Sequence, residues 1–185
     1  LSYTAWSMEG AAGAAQRVFE VLDMPDEVPD PAKPEKLPAG SGAIEFRGVG
    51  FRYPRGDEVL HGLNFAIAPG ESVAIVGGTG AGKTTLMSLL PRFYDPSEGS
   101  IRLHGIDLRQ LAKKDLRSRQ ALVLQETVLL NGSVRENIAY GRPGASFREI
   151  QKAAAEAQAD GFIRQLPPGY ETQVGERGWM LSGGQ

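Results

Sequence analysis

The sequence predicts a mixed α/β fold that opens with an antiparallel β layer and closes with a helical part. Three observations carry that reading. Apolar residues alternate through 44–53 (Ile44, Phe46, Val49, Phe51), the pattern of a sheet with one wet face. Residues 72–76 form a compact apolar run closed by glycines and followed by a helix-forming stretch, as when a buried strand turns into a helix. Residues 133–166 then switch to helical spacing.

Bulk properties bound the rest. A chain of 185 residues accommodates one well-buried domain and a short appendage. Its composition, 41% hydrophobic and 23% charged, is that of a soluble globular protein. Twenty basic residues against 22 acidic ones leave a net charge of -2, which gives no global electrostatic reason to expect nucleic acid as a partner. A small anionic ligand is still allowed, because phosphate binding needs local N–H groups. With no cysteine, disulfides, thiolate metal sites and a cysteine nucleophile are excluded. No run approaches the length of a membrane span. The chain starts at Leu1 without a charged segment ahead of an apolar core, so no signal peptide is read.

Taken in order, residues 4–22 have helical periodicity, with Ala11, Ala14, Ala15, Val18, Phe19 and Leu22 on one face. Asp23-Met24-Pro25 ends that helix. Five prolines (Pro25, Pro29, Pro31, Pro34, Pro38) then mark an extended linker over 23–42, and the domain boundary is placed there. Strands are expected at 44–53, 63–68, 72–76, 100–103 and 121–124, the third and fifth as buried strands. A helix should run from about Lys83 to Leu90. Within 133–166, Ser133 and Ser146 are candidate N-caps, and Ile150, Ala153, Ala154 and Ala157 form an apolar stripe.

The sharpest motif is Gly77-Gly78-Thr79-Gly80-Ala81-Gly82-Lys83-Thr84, a match to G-x-x-x-x-G-K-[ST]. Glycines allow positive φ and a backbone that wraps a phosphate with inward N–H groups. The helix beginning near Lys83 adds its positive end. Lys83 would reach the β- and γ-phosphates, and the Thr84 hydroxyl would coordinate Mg²⁺. Gly77 through Thr84, with Thr85, are the candidate nucleotide-binding residues. A chance glycine-rich turn is the competing reading. The apolar run before the motif and the helix after it favour the phosphate loop of a P-loop NTPase.

The chain ends Leu181-Ser182-Gly183-Gly184-Gln185. Alone, Ser-Gly-Gly-Gln could be a loop or a helix cap. About a hundred residues after a phosphate loop, it resembles the signature of ABC (ATP-binding cassette) ATPases, and residues 44–185 then follow that family's order. The resemblance implies a P-loop NTPase core with an N-terminal antiparallel β subdomain and a helical subdomain, incomplete at the C-terminus. It makes Tyr53 the aromatic residue that stacks on adenine, against the simpler reading of a tyrosine packed at a strand end. Gln125 resembles the Q-loop glutamine, which approaches Mg²⁺ and the attacking water. A rival reading makes 121–126 a Walker B strand, but it would put a neutral glutamine where the metal wants a carboxylate.

Glu176, in Val174-Gly175-Glu176-Arg177-Gly178, matches a segment that contacts the transmembrane helices in ABC exporters; otherwise it is a solvated loop charge. Residues 1–22 resemble the end of the last membrane-domain helix, 23–42 a linker, and 43–185 a partial ATPase domain, as in fused exporters.

The resemblance implies ATP and Mg²⁺ as cofactors. It implies two partners, a second nucleotide-binding domain (in a homo- or heterodimer) and a transmembrane domain of the same chain, contacted through the Q-loop and Glu176. Ser182, Gly183, Gly184 and Gln185 would then cap ATP held by the other cassette. Metal contacts fall to Thr84 and Gln125. The expected setting is the cytoplasmic face of a membrane, with the fragment itself soluble. The chain stops before the family's Walker B acids and switch histidine, and its histidines, His61 and His104, are out of order for that switch. ATP hydrolysis is therefore expected of the full-length parent and not of this stretch alone. A non-hydrolytic binding module and a soluble ABC ATPase of DNA maintenance are the alternatives. The second usually carries coiled coils, and no sustained heptads lie between Lys83 and Leu181.

Overall fold

The computed structural model describes residues 13–124 and 128–175. It divides into two compact units, one up to Ala121 and one from Leu122.

In the first unit, residues 13–22 are helical (α1). After the proline-rich segment come β1 (Ile44–Arg52), β2 (Glu58–Ile67), α2 (Lys83–Leu89), β3 (Glu98–Leu103), β4 (Ile106–Asp107) and α3 (Lys113–Arg117). The sheet order is β2-β1-β3-β4, antiparallel throughout. The first two strands thus pair as the alternation in 44–53 required, although β2 starts earlier than the apolar run at 63–68.

The spacing of the inward residues of β1 explains its shape. Phe46 and Val49 are three apart, and strict alternation cannot bury both. A register shift falls between Phe46 and Val49 in the ladder with β2 and between Arg47 and Gly50 in the ladder with β3, with Gly48 at φ 60 in the irregular stretch. The Asn64 side-chain oxygen accepts the Gly48 N–H at 2.7 Å, so the donor displaced from the ladder is satisfied. Phe46, Val49 and Phe51 all end at most 3% exposed. Phe46 stacks on Phe65 with ring centroids 4.3 Å apart. Leu86 and Leu89 of α2 join Ile101, Leu108, Leu111 and Leu116 in the same core. That burial fixes α2, and with it the glycine loop ahead of it.

Residues 23–42 carry the prolines of an extended segment, and much of this stretch lies against the first unit. Val28 and Leu37 are buried, and Glu35 bridges to Leu111.

The two runs expected as buried strands differ from that expectation. Among the described residues, no ladder includes 72–76 or 121–124. Their apolar side chains are exposed, Val76 at 88% and Val123 at 95%. A strand is a pairing: without a neighbour at its edge, an apolar run has nothing to hydrogen-bond to and nothing to bury against.

The second unit holds β5 (Gly132–Ser133), α4 (Val134–Ala139), α5 (Phe147–Glu156), α6 (Asp160–Ile163) and β6 (Gln173–Val174). Both expected caps form complete capping boxes, Ser133 with Glu136 and Ser146 with Glu149. The core is built from Val134, Ile150, Ala154, Ile163, Tyr170 and Val174. Ile150 and Ala154 of the expected stripe are buried, whereas Ala153 and Ala157 face outward.

Candidate functional site

Between β2 and α2 the chain runs through the glycine motif without forming helix or strand. Gly80 and Gly82 both take φ 82, the left-handed region that favours glycine. Gly82 is doubly constrained, because a Cβ there would lie 2.7 Å from the Leu60 side chain and 3.3 Å from that of Val59. It is also the N-cap of α2, and its carbonyl accepts the first helical bond, from Leu86 N–H at 2.8 Å. The last glycine before Lys83 therefore aims the helix while letting the backbone pass close to β2.

Lys83 extends back over the loop. Its Nζ donates to the carbonyls of Gly77 (2.8 Å) and Gly78 (2.7 Å). The ammonium is thus poised at the mouth of the loop on neutral acceptors, which an anion can displace because charge-assisted bonds are the stronger ones. A concavity of about 150 Å³ is lined by Val59, Gly80, Ala81, Gly82, Lys83, Thr84 and Thr85.

Successive residues of α2 divide the work. Thr84 is exposed, and its hydroxyl is free to face a ligand's oxygens. Thr85 is buried, and its Oγ1 lies 3.0 Å from the Tyr53 hydroxyl. Tyr53 follows β1 directly and is half-buried. Its ring meets Phe51 and Tyr94 edge-on, with centroids 4.9 and 5.3 Å away. An aromatic ring is thereby fixed beside the glycine loop through the loop's own helix.

Among the described residues no group of three or more His, Cys, Asp or Glu could hold a metal ion. A divalent cation here would depend on hydroxyl and ligand oxygens, the donor set that Mg²⁺ accepts in phosphate sites. The Thr84 hydroxyl fits that role.

The structure brings together Tyr53, Gly77, Gly78 and Gly80 to Thr85 around this loop, and Thr79 lies within it. Gln125, Glu176, Ser182, Gly183, Gly184 and Gln185 fall outside the described residues. Tyr94 was not anticipated from sequence. It sits in Arg92-Phe93-Tyr94-Asp95, just after Pro91, where no local pattern marks a site residue, and only the packing shows it bracing Tyr53. An apolar hollow of about 370 Å³ lies on another side of the loop, lined by Leu60, Leu63, Phe65, Leu86 and residues 74–76 among others.

A family model described as "ABC transporter" matches residues 60–185. The fatty acid ABC transporter ATP-binding/permease protein of Mycobacterium bovis is 46% identical over 179 residues, covering 97% of this chain and 28% of that protein. The ATP-dependent lipid A-core flippase of Alkalilimnicola ehrlichii is 50% identical over 182 residues, covering 96% of this chain and 30% of the flippase. Among solved structures, a bacterial Atm1-family ABC exporter with ATP bound superposes with a TM-score of 0.87 at 45% identity, over 96% of this chain and 31% of that one. The chain thus spans under a third of the length of each of these relatives.

Proposed function

This chain belongs to the ABC transporter family, and from that premise we propose that it is the ATP-binding part of an exporter, coupling ATP binding and hydrolysis to movement of a substrate across a membrane. The observation that carries the reading is the glycine loop with Lys83 held on its own carbonyls, beside a tyrosine braced on the same helix.

In this reading the loop N–H groups and Lys83 hold the phosphates, and Tyr53 offers its ring to adenine. Stacking of that kind is worth about 1–3 kcal/mol in base-binding proteins. Lys83 exchanges its bonds to the carbonyls of Gly77 and Gly78 for phosphate oxygens. The Thr84 hydroxyl and Gln125 would hold Mg²⁺, which when bound would offset the charge between phosphate groups.

A second cassette arranged head-to-tail would place its Ser182, Gly183, Gly184 and Gln185 over the nucleotide. Small residues allow that close approach, and the serine hydroxyl can donate to the terminal phosphate. Closure of the pair, and its reopening after hydrolysis, would move the attached membrane helices through the Q-loop and the Glu176 region. The relatives named above are described as ATP-binding/permease and flippase proteins, which supports a permease part on the same chain and a setting at the cytoplasmic face of a membrane. Among the described residues, no helix is long and apolar enough to cross one.

The test is ATP turnover by the full-length protein carrying Lys83→Ala. Turnover should fall by about two orders of magnitude or more, the scale on which removal of one charge-stabilising donor acts. Unchanged turnover would sink the assignment. ATP affinity without turnover in the unmodified protein would instead identify a non-hydrolytic binding module.

A further inference from the structure

A buried arginine ties the segment ahead of β1 to the helix that follows the phosphate loop. Pro91 stops α2 soon after its last turn. Arg92 then takes φ 52, a conformation that residues with side chains rarely adopt, and its side chain is 2% exposed. Nε and Nη2 each donate to one oxygen of Asp95 at 2.9 Å. Nη1 donates to the Leu111 carbonyl at 3.2 Å, and Nη2 also reaches the Pro29 carbonyl at 3.3 Å. The Arg92 carbonyl in turn accepts from Arg117 at 2.9 Å. A buried charge in a rare backbone conformation, with its donors spread across separate segments, persists only where the surroundings over-determine it.

The proline-rich segment is held at further points. Lys113 Nζ pairs with Asp26 and donates to the Val28 carbonyl at 2.6 Å, while the Lys113 N–H donates to Asp30 at 2.7 Å. The bond from Lys113 and the one from Val28 N–H hold the Asp26 carboxyl below its ordinary range. Farther along, Glu35 N–H donates to the Gln110 carbonyl at 2.8 Å, and Arg119 donates to the Leu37 carbonyl at 3.2 Å.

These anchors change what the segment can do mechanically. A free proline-rich tether is a semi-rigid spacer of about 3.1 Å per residue, which sets a distance between the parts it joins without fixing one against the other. Pinned from Asp26 to Leu37, it keeps slack only at Asp23, Met24 and Pro25. Even there, Asp23 and Met24 N–H still bond to the Phe19 and Val21 carbonyls at the end of α1. One route from α1 to the phosphate loop therefore runs through Pro29, Arg92 and α2, beside the anchors at Lys113, Gln110 and Arg119.

We propose that Arg92 is a positioning residue that holds the strap at Pro29 to the end of α2, so that movement of the phosphate-loop helix is passed to α1. The clamp rests on the ATP-driven reading for its purpose, and its existence can be tested without nucleotide.

The experiment is hydrogen–deuterium exchange on the full-length protein in nanodiscs, with and without Mg²⁺ and a non-hydrolysable ATP analogue. Arg92→Gly suits the left-handed backbone and removes only the side chain. Without nucleotide it should raise exchange around Pro29, at 27–30, by about tenfold, the effect expected from losing one charge-assisted bond, and leave 83–90 protected. With nucleotide, protection should appear at 83–90 in both proteins but reach 13–37 only in the unmodified one. Should Arg92→Gly fail to fold, Asp95→Asn serves in its place, since Asp95 fixes the Arg92 fork and is partly exposed; it should loosen the same residues. Unchanged exchange in 27–30, or nucleotide protection still reaching 13–25 in the variant, would overturn the clamp. Absence of nucleotide protection at 83–90 in the unmodified protein would overturn the ATP reading and leave the nucleotide-free result to decide the clamp.

Discussion

β1 and residues 72–76 are both short apolar runs of the first unit, yet Phe46, Val49 and Phe51 are at most 3% exposed whereas Val76 is 88% exposed. Local sequence does not explain the contrast, since Val73, Ile75 and Val76 suit a strand at least as well as Val49 and Phe51 do. What differs is company. β1 has β2 on one edge and β3 on the other, and its inward side chains meet α2. Among the described residues, nothing pairs with 72–76. The glycine loop is thus reached from a self-sufficient antiparallel sheet through a run whose burial would have to come from elsewhere.

Side-chain truncation gives the largest test of that contrast. Phe46→Ala should cost about 3–5 kcal/mol of unfolding free energy, the range for removing a buried aromatic ring. Val76→Ala in the same chain should stay within about 0.5 kcal/mol, as exposed substitutions do. Urea denaturation followed by far-UV circular dichroism measures both. Equal losses would mean that 72–76 is buried in solution and that the contrast is false.

Gly82→Ala probes the junction between the two regions. Its Cβ would meet Leu60 of the sheet, and its φ of 82 disfavours any side chain. A stability loss of about 1–3 kcal/mol is expected from the strained backbone. Titration with a fluorescent ATP analogue should show weakened binding as well, because the same atom aims α2. Intact binding would show that the loop tolerates a shift away from β2.

The smallest effect concerns a part that needs no distant partner. In α5, the N–H and hydroxyl of Ser146 bond to Glu149, and with nearby Arg142 they hold its carboxyl below the ordinary range. A carboxylate depressed in the folded state adds stability above its unfolded pKa, and that contribution is lost as pH falls through the folded value. Exchange protection at the start of α5 should therefore weaken below about pH 4, where ordinary carboxylates take up protons. Glu149→Gln should remove that acid dependence; a variant that keeps it would assign the effect to another group.

Much of the candidate site was legible because its signals are local. The G-x-x-x-x-G-K-[ST] spacing, the glycines at positive φ and the serine caps each act within a few residues, and the structure shows the two left-handed glycines and both capping boxes. The bulge of β1 between Phe46 and Val49 was not part of the expected alternation and shows only in the ladders. The docking of residues 26–37 was hidden, because prolines and charges describe an extended chain equally well whether it is free or strapped down.

The sequence by itself determined the α/β class, the glycine loop, the helix starts and the family, since these follow from backbone preferences and short-range bonds. Only the tertiary structure decided that Tyr53 meets Thr85, that Tyr94 braces Tyr53, that Arg92 is buried on Pro29, and that 72–76 is left without a strand partner among the described residues. Those outcomes depend on which groups lie opposite one another across long stretches of chain. A backbone N–H, a guanidinium or an apolar edge is satisfied by whatever faces it, and its neighbours in sequence do not specify what that will be.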